Sequence, residues 1–288
     1  LLYSAFTYYC GFKVNSGEYK LMGLAPYGEP NYVGIIKDKI IDIKKDGSFK
    51  LDMSYFKYHR GFQMTSRKFD KLFDHLPRKR ESELTQFHMD LAASIQLITE
   101  EIVIKLAKSI RKETGLKNIC LSGGVALNCV SNGKLLRERI FENVWIQPAS
   151  GDAGSALGAA LVGWYKIFKK ARVISKRDSM KGTYLGPNFS NTFIKGFLKK
   201  VNAKFETIDE NKIFDHIAEL IDNGNVIGWF SGRMEFGPRA LGGRSIIGDP
   251  RNRKMQSVMN LKIKYRESFR PFAPSVLEED ASNQFEIN

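Results

Sequence analysis

NICLSGGVALNCVSNGKLLRERIFENVWIQPASGDAGSALG, residues 118 to 158, reads twice over as strand, glycine-rich loop and helix. Asn118 to Leu121 form a short apolar strand, Ser122-Gly123-Gly124 a loop, and a helix follows to about Glu138. Val144 to Ile146 form a second strand, Pro148 to Gly154 a tight loop, and Ser155 to Phe168 a helix rich in small residues. Such alternation predicts an α/β core with βαβ units. Two neighbouring strand ends that carry loops of this kind form one crevice in an open α/β sheet.

Upstream the period changes. Leu84, Phe87, Leu91, Ile95, Ile98, Ile102, Leu106 and Ile110 recur at steps of three and four, one face of a long amphipathic helix that Gly115 ends. His88 is read as a helix-start residue. Asn15 to Gly28 read as a loop with a short helical turn, and the apolar residues on either side of Lys45-Asp46-Gly47 predict a hairpin. Downstream, charge rises and Gly182, Gly186 and Pro187 break the periodicity. Helices follow at Asn191 to Lys200 and Ile213 to Ile221, and a strand at Val226 to Phe230. A long loop spans Ser231 to Pro250, then a helix near Lys254 to Leu261 and a strand at Phe272 to Val276. The expected organisation is a first domain over 1–172, a basic linker over 173–188 and a second domain over 189–288.

Two ordinary domains fit in 288 residues, and 43% hydrophobic with 26% charged residues describes a globular chain. No apolar run approaches the roughly 18 to 20 residues of a membrane-spanning helix. Leu1 to Cys10 lack the basic leader and cleavage site of a secretory signal. They also lack an initiator Met, and the chain is expected to be cut from something longer. Cys10, Cys120 and Cys129 make neither a close metal-binding pair nor an even disulfide set, which suits cytoplasmic surroundings. Cys120, Trp145, Trp164 and Trp229 read as core. His59, His75, His88 and His216 show no HExxH pairing.

The net charge of +14 is unevenly spread. Residues 166–204 hold eleven Lys/Arg against one acid, Asp178, mostly scattered lysines. A solvated linker face is the plainer reading, and a nucleic-acid or membrane surface is the alternative. Residues 232–270 hold ten Lys/Arg against three acids, and seven of the ten are arginines among glycines and prolines. Fixed loop arginines suit bidentate phosphate recognition.

Three constellations carry chemistry. In Leu121 to Asn128 a strand runs through two glycines into a helix, so backbone N–H groups can meet an anion, although a Gly-Gly turn is common. In Pro148 to Gly158, Asp152 stands just before the helix, as an N-cap or open to a ligand or metal. The third is GRMEFGPRALGGRS, residues 232–245, followed by Lys262, Lys264, Arg266, Arg270 and Pro271, suited to several phosphate oxygens at once.

Together NSGEYKLMGLAPYG, DLAASIQ, LSGGVALNC, PASGDAGSALGAAL and GRMEFGPRALGGRSIIGDPR with KYRESFRPFAPSVLEED closely resemble the O-carbamoyltransferases of the NodU and antibiotic-carbamoylation group, from about Tyr8 to Glu279. The resemblance implies an actin/sugar-kinase-like (Kae1-like) partial domain, mostly its second half, followed by a partial YrdC-like α/β domain. The YrdC-like part would make carbamoyladenylate from carbamoyl phosphate and ATP. The Kae1-like part would pass the carbamoyl group to a hydroxyl of a sugar or natural-product acceptor with the help of a divalent metal, usually iron. Carried over by motif, Gly123, Gly124 and Asn128 look like nucleotide contacts and Asp152 like a metal ligand. Arg239, Arg244, Ser245, Lys264, Arg266 and Arg270 look like the carbamoyl phosphate and ATP pocket. Lys20 lies in the first motif and carries no assigned role. The histidines that would join Asp152 on the metal, and the later ATP contacts, are expected outside this chain, which alone should be inactive.

Four other readings stand beside it. A hydrogenase-maturation enzyme would carry a cysteine-rich zinc-finger region, and a tRNA threonylcarbamoylation enzyme usually has its two domains on separate chains. A nucleic-acid module would rest on the basic stretch 166–204, and a simple sugar kinase would leave the arginine cluster unexplained.

Overall fold

The computed structural model describes residues 1–175 and 177–286. Lys176 of the basic stretch, and Ile287 and Asn288 of the second expected domain, lie outside the described residues. By its contacts the chain divides into two compact units. One comprises Leu1–Leu121, Asn128–Trp145 and Phe269–Asn288, the other Ser122–Leu127 and Ile146–Ser268. This division follows contacts rather than sequence order.

The first unit is built on α5 (Gln86–Thr114), the long helix that the three-and-four spacing predicts, closed by Gly115 at φ 66°. Only an unhindered backbone adopts that left-handed cap cheaply. At its start the Thr85 N–H donates to His88 Nδ1 at 3.1 Å, so His88 does stand at the helix start. Leu91, Ile95 and Ile98 on the inward face are fully buried. They pack in one cluster with α1 (Leu2–Tyr9), α2 (Glu18–Leu24), α3 (Val33–Lys39) and α4 (Arg67–Phe73). Edge-on aromatic pairs tighten it, such as Phe6 with Phe69 at 5.3 Å and Tyr32 with Phe87 at 5.5 Å. The hairpin forms as expected, β1 (Ile41–Ile43) pairing antiparallel with β2 (Phe49–Leu51) in the register Ile41 to Leu51. The expected loop at Asn15 to Gly28 contains more helix than the sequence suggests: α2 runs directly into a 3-10 turn at Ala25–Tyr27.

The two strands of the opening stretch, β3 (Asn118–Leu121) and β4 (Asn143–Ile146), do pair. Their inward residues Ile119, Leu121 and Val144 pack with Ile104 and Ala107 of α5 and with Leu135 of α6 (Cys129–Arg137). The period of two then turns Cys120 and Trp145 outward. Both are exposed, against the core reading. The loop after β3 also differs, because a 3-10 turn at Gly124–Leu127 precedes α6 and delays the helix to Cys129.

In the second unit α7 (Asp152–Val162) ends sooner than expected and continues as a π-helical turn, Gly163–Ile167. Trp164, on that turn, is 52% exposed rather than core, and Trp229 is half-buried. α8 (Asn191–Lys200) and α9 (Ile213–Asp222) follow the expected bounds. β5 (Ile227–Phe230) pairs antiparallel with β6 (Arg244–Ile247), Phe230 opposite Arg244. A short helix at Met255–Ser257 and a π-helical turn at Val258–Ile263 stand where one helix was expected. Phe272 to Val276 form no strand. Pro274 lies within them and Pro271 just before, and proline lacks the ladder N–H. The architecture is mixed α/β with short two-stranded sheets among the described residues.

Candidate functional site

Ser231 to Gly243 connect β5 to β6 and include most of the glycine and arginine motif. A loop this long closes only if its backbone donors find acceptors. Glu235, 6% exposed, supplies one. Its Oε1 accepts from the N–H groups of Leu241 and Gly243, each at 2.7 Å, and of Arg244 at 3.4 Å. Burial opposes ionisation of this carboxyl. Backbone N–H groups of Leu241, of Glu235 itself, of Gly243 and of Arg244 outweigh it and hold the pKa below the usual carboxylate range. The loop also lies along residues 183–187 of the expected linker. Gly186 N–H donates to Met234 O at 2.8 Å, and Phe236 N–H to Thr183 O at 2.7 Å.

Arg244 is a staple of this loop. Its guanidinium donates to the carbonyls of Ser231, Gly232, Gly243 and Pro187 and sits 3.4 Å above the centre of the Phe230 ring. Ser245 Oγ accepts from the Gly242 N–H at 3.1 Å. Arg239 reaches in another direction, its Nη2 donating to Leu127 O at 3.1 Å. Gly237 has φ 143°, and a Cβ there would lie 2.9 Å from Pro148 O, so only glycine allows this backbone approach.

The loops of the opening stretch meet in the same unit. Gly123, at φ 99°, donates its N–H to Ser150 O at 2.8 Å. Around Gly124 a Cβ would meet nothing within 4 Å, so the backbone faces open space. Ser150 Oγ is buried without a hydrogen-bond partner. Asp152 is the first residue of α7, with Gly151 as N-cap, and its side chain is exposed instead of capping the helix. Gly123, Gly124, Pro148 to Asp152, Gly237 and Arg239 are thus gathered in one place. A metal there would find one carboxylate. Among the described residues no group of three His, Cys, Asp or Glu gathers to hold an ion. This chain therefore does not by itself fit a metal centre.

The other expected site residues have contacts of their own. Lys264 ends the π-helical turn and is exposed. Arg266 Nε donates to Oδ1 of the fully buried Asn260 at 2.6 Å. Asn128 belongs to the first unit, where it caps α6 by accepting from Ser131 N–H at 3.0 Å and pairs its amide with that of Gln96. Arg270, also in the first unit, donates to the Tyr19 hydroxyl.

Sequence reasoning missed Glu235 and the purpose of DLAASIQ. Asp90 accepts from Glu29 N–H at 2.9 Å and from the amides of Asn31 and Gln86. Ser94 accepts from Tyr32 N–H at 3.0 Å. The motif fastens the chain after α2 to α5, and Gln96 seats Asn128. Asp90, Ser94 and Gln96 are polar residues on the buried part of a long helix, and that was the signal available.

The family model described as Carbamoyltransferase N-terminus matches residues 1–161, and Carbamoyltransferase C-terminus matches residues 218–288. The chain is 60% identical over 290 residues to an uncharacterized protein of Synechocystis sp., covering 100% of this chain and 47% of the relative. It is 39% identical over 275 residues to nodulation protein NolO of Bradyrhizobium diazoefficiens, covering 94% and 47%. It is 39% identical over 290 residues to nodulation protein NolNO of Sinorhizobium fredii, covering 100% and 40%. The chain spans about half the length of the curated relatives it matches.

Proposed function

The chain belongs to the carbamoyltransferase family, and on that premise we propose that the whole protein activates and transfers a carbamoyl group. Carbamoyl phosphate is hydrolysed to carbamate and phosphate; carbamate attacks the α-phosphorus of ATP, giving carbamoyladenylate and pyrophosphate. A hydroxyl of a sugar or natural-product acceptor then takes the carbamoyl group and AMP leaves. The fold reading that goes with it is a Kae1-like followed by a YrdC-like domain.

The observation that carries the proposal is the arginine loop between β5 and β6. Glu235 holds it through three backbone N–H groups, and Arg239 is set beside the glycine loop at Gly123 to Leu127. Preorganised donors of this kind stabilise the charge that develops when phosphate-bearing reactants meet. In this proposal Arg239, with Lys264 and Arg266, receives phosphate oxygens. Arg244 and Ser245 shape the loop, because their own bonds are to its backbone. Gly123 and Gly124 leave backbone room for a nucleotide. Asn128, with its amide held by Gln96, fixes the start of α6. Arg270 is a further anion-binding group. A divalent metal, iron by the resemblance, would draw on Asp152 and would need further ligands that the described residues do not supply.

The test uses the full-length protein with ATP and carbamoyl phosphate. Carbamoyl-phosphate-dependent release of pyrophosphate, with carbamoyladenylate seen by mass spectrometry, is expected. ATP left intact in the presence of carbamoyl phosphate would defeat the proposal.

A further inference from the structure

The first motif, NSGEYKLMGLAPYG, has no part in the chemistry above, and its surroundings in the first unit give it one. Residues Phe269, Arg270 and Pro271 lie in its grasp. The Tyr27 hydroxyl donates to Phe269 O at 3.2 Å, and the Phe269 ring stands 6.2 Å from that of Tyr27 and 6.3 Å from that of Phe12. Pro271 Cδ lies 3.4 Å from where a Cβ on Gly23 would be, so the chain rests directly on α2. Between these contacts Arg270 turns to Tyr19. Its guanidinium carbon lies 4.6 Å above the centre of the Tyr19 ring, and its Nη2 donates to the Tyr19 hydroxyl.

We propose that Tyr19 is the positioning residue for Arg270, and that the motif from Asn15 to Gly28 is the seat that presents this arginine to an anion. The inference rests on the reading of Arg270 as an anion-binding group. A flexible arginine loses rotamer freedom on gripping a phosphate oxygen, and fixing it beforehand removes that cost. Tyrosine does so in two ways, since its face attracts the cation and its hydroxyl sets the direction of the fork. Lys20 then has a structural part in the same seat, its ammonium 5.7 Å from the centre of the Phe12 ring. Tyr19 itself acts only through Arg270.

The test compares Tyr19→Phe, Tyr19→Ala, Arg270→Ala and the Tyr19→Ala/Arg270→Ala double variant in the full-length protein. KM and kcat for ATP and for carbamoyl phosphate are read from pyrophosphate release, and the Kd of ATP and of inorganic phosphate from calorimetry. Tyr19 is 41% exposed, and melting curves check that the variants fold. Tyr19→Ala should weaken the anion that Arg270 binds by about tenfold, in KM more than in kcat, and Tyr19→Phe by about threefold. The double variant should be no weaker than Arg270→Ala alone. Losses that simply multiply, or wild-type constants in Tyr19→Ala, overturn the inference. If the wild type releases no pyrophosphate, the carbamoyl-transfer reading fails and the Kd series decides this one separately. The same pattern in ATP or phosphate binding upholds it, and anion binding indifferent to Arg270 overturns it.

Discussion

Glu235 shows how a carboxylate inside an arginine motif can serve the backbone. GRMEFGPRALGGRS draws attention to its cations, yet Arg244 is tied to four carbonyls and Glu235 to three N–H groups. Residue type suggested anion chemistry but not which side chains are committed to the loop, because that depends on how the loop closes. Glu235→Gln should destabilise the protein by about 2 kcal/mol in chemical denaturation, since one amide cannot replace a charged acceptor of several N–H groups. The sign of the pH dependence follows from its lowered pKa. The stability it contributes is present above the ordinary glutamate value of about 4.3 and is lost as pH falls through the lower folded value. The variant should flatten that part of the curve. His88 behaves differently. Burial, with the positive charges of Arg78 and His75, pushes its pKa down to about 4. The folded state therefore resists a proton that the unfolded chain takes up near 6.5, and stability falls as pH drops from about 6.5 to about 4. His88→Gln keeps a side chain able to accept from Thr85 N–H and should abolish this decline in thermal melts recorded across that range.

At the scale of elements, periodicity was the most informative property of the sequence. α5 and the first hairpin follow from spacing because one face of each is buried by its neighbours. The pairing of β3 with β4, and with it the meeting of the two glycine loops at Gly123 and Ser150, was likewise legible from the repeated strand, loop and helix. Exposure was not: Cys120 and Trp145 are apolar residues in strands, but their alternate positions face away from α5. Nor could spacing reveal which glycines are sterically required. A Cβ on Gly28 would lie 2.1 Å from the backbone carbonyl of Met89, against α5, whereas one on Gly124 would meet nothing. Gly28→Ala should therefore cost on the order of 3 kcal/mol of stability, by forcing the turn at Ala25–Tyr27 off the helix. Gly124→Ala should melt within about 0.5 kcal/mol of wild type. If a nucleotide occupies the open space, it should nonetheless weaken ATP binding several-fold in calorimetry; unchanged binding would remove Gly124 from the site.

The two units differ in how much they bury, and this sets an order of stability across the molecule. The first has a contiguous core in which Phe6, Tyr9, Phe69, Leu91, Ile95 and Ile98 are shielded from water. In the second, α7, α8 and α9 contain no buried residue, and Phe193, Phe197 and Phe214 are 57%, 54% and 69% exposed. Hydrophobic burial contributes roughly 25 cal/mol per Å² removed from water, so helices that bury little are held mainly by local bonds. No described helix is long and apolar enough to cross a membrane, so such exposure is not that of a spanning segment. Hydrogen exchange on the 288-residue chain should accordingly show amides of α8 and α9 exchanging orders of magnitude faster than those of α5 between Leu91 and Ile102. In the full-length protein, saturating ATP should slow exchange in the loop from Ser231 to Gly243 and at Gly123 to Leu127, because a ligand that binds only the folded form stabilises what it touches. Equal protection across the 288-residue chain would mean that the second unit is held by more than its own packing shows. Slowing confined to α5 would move the nucleotide away from the arginine loop.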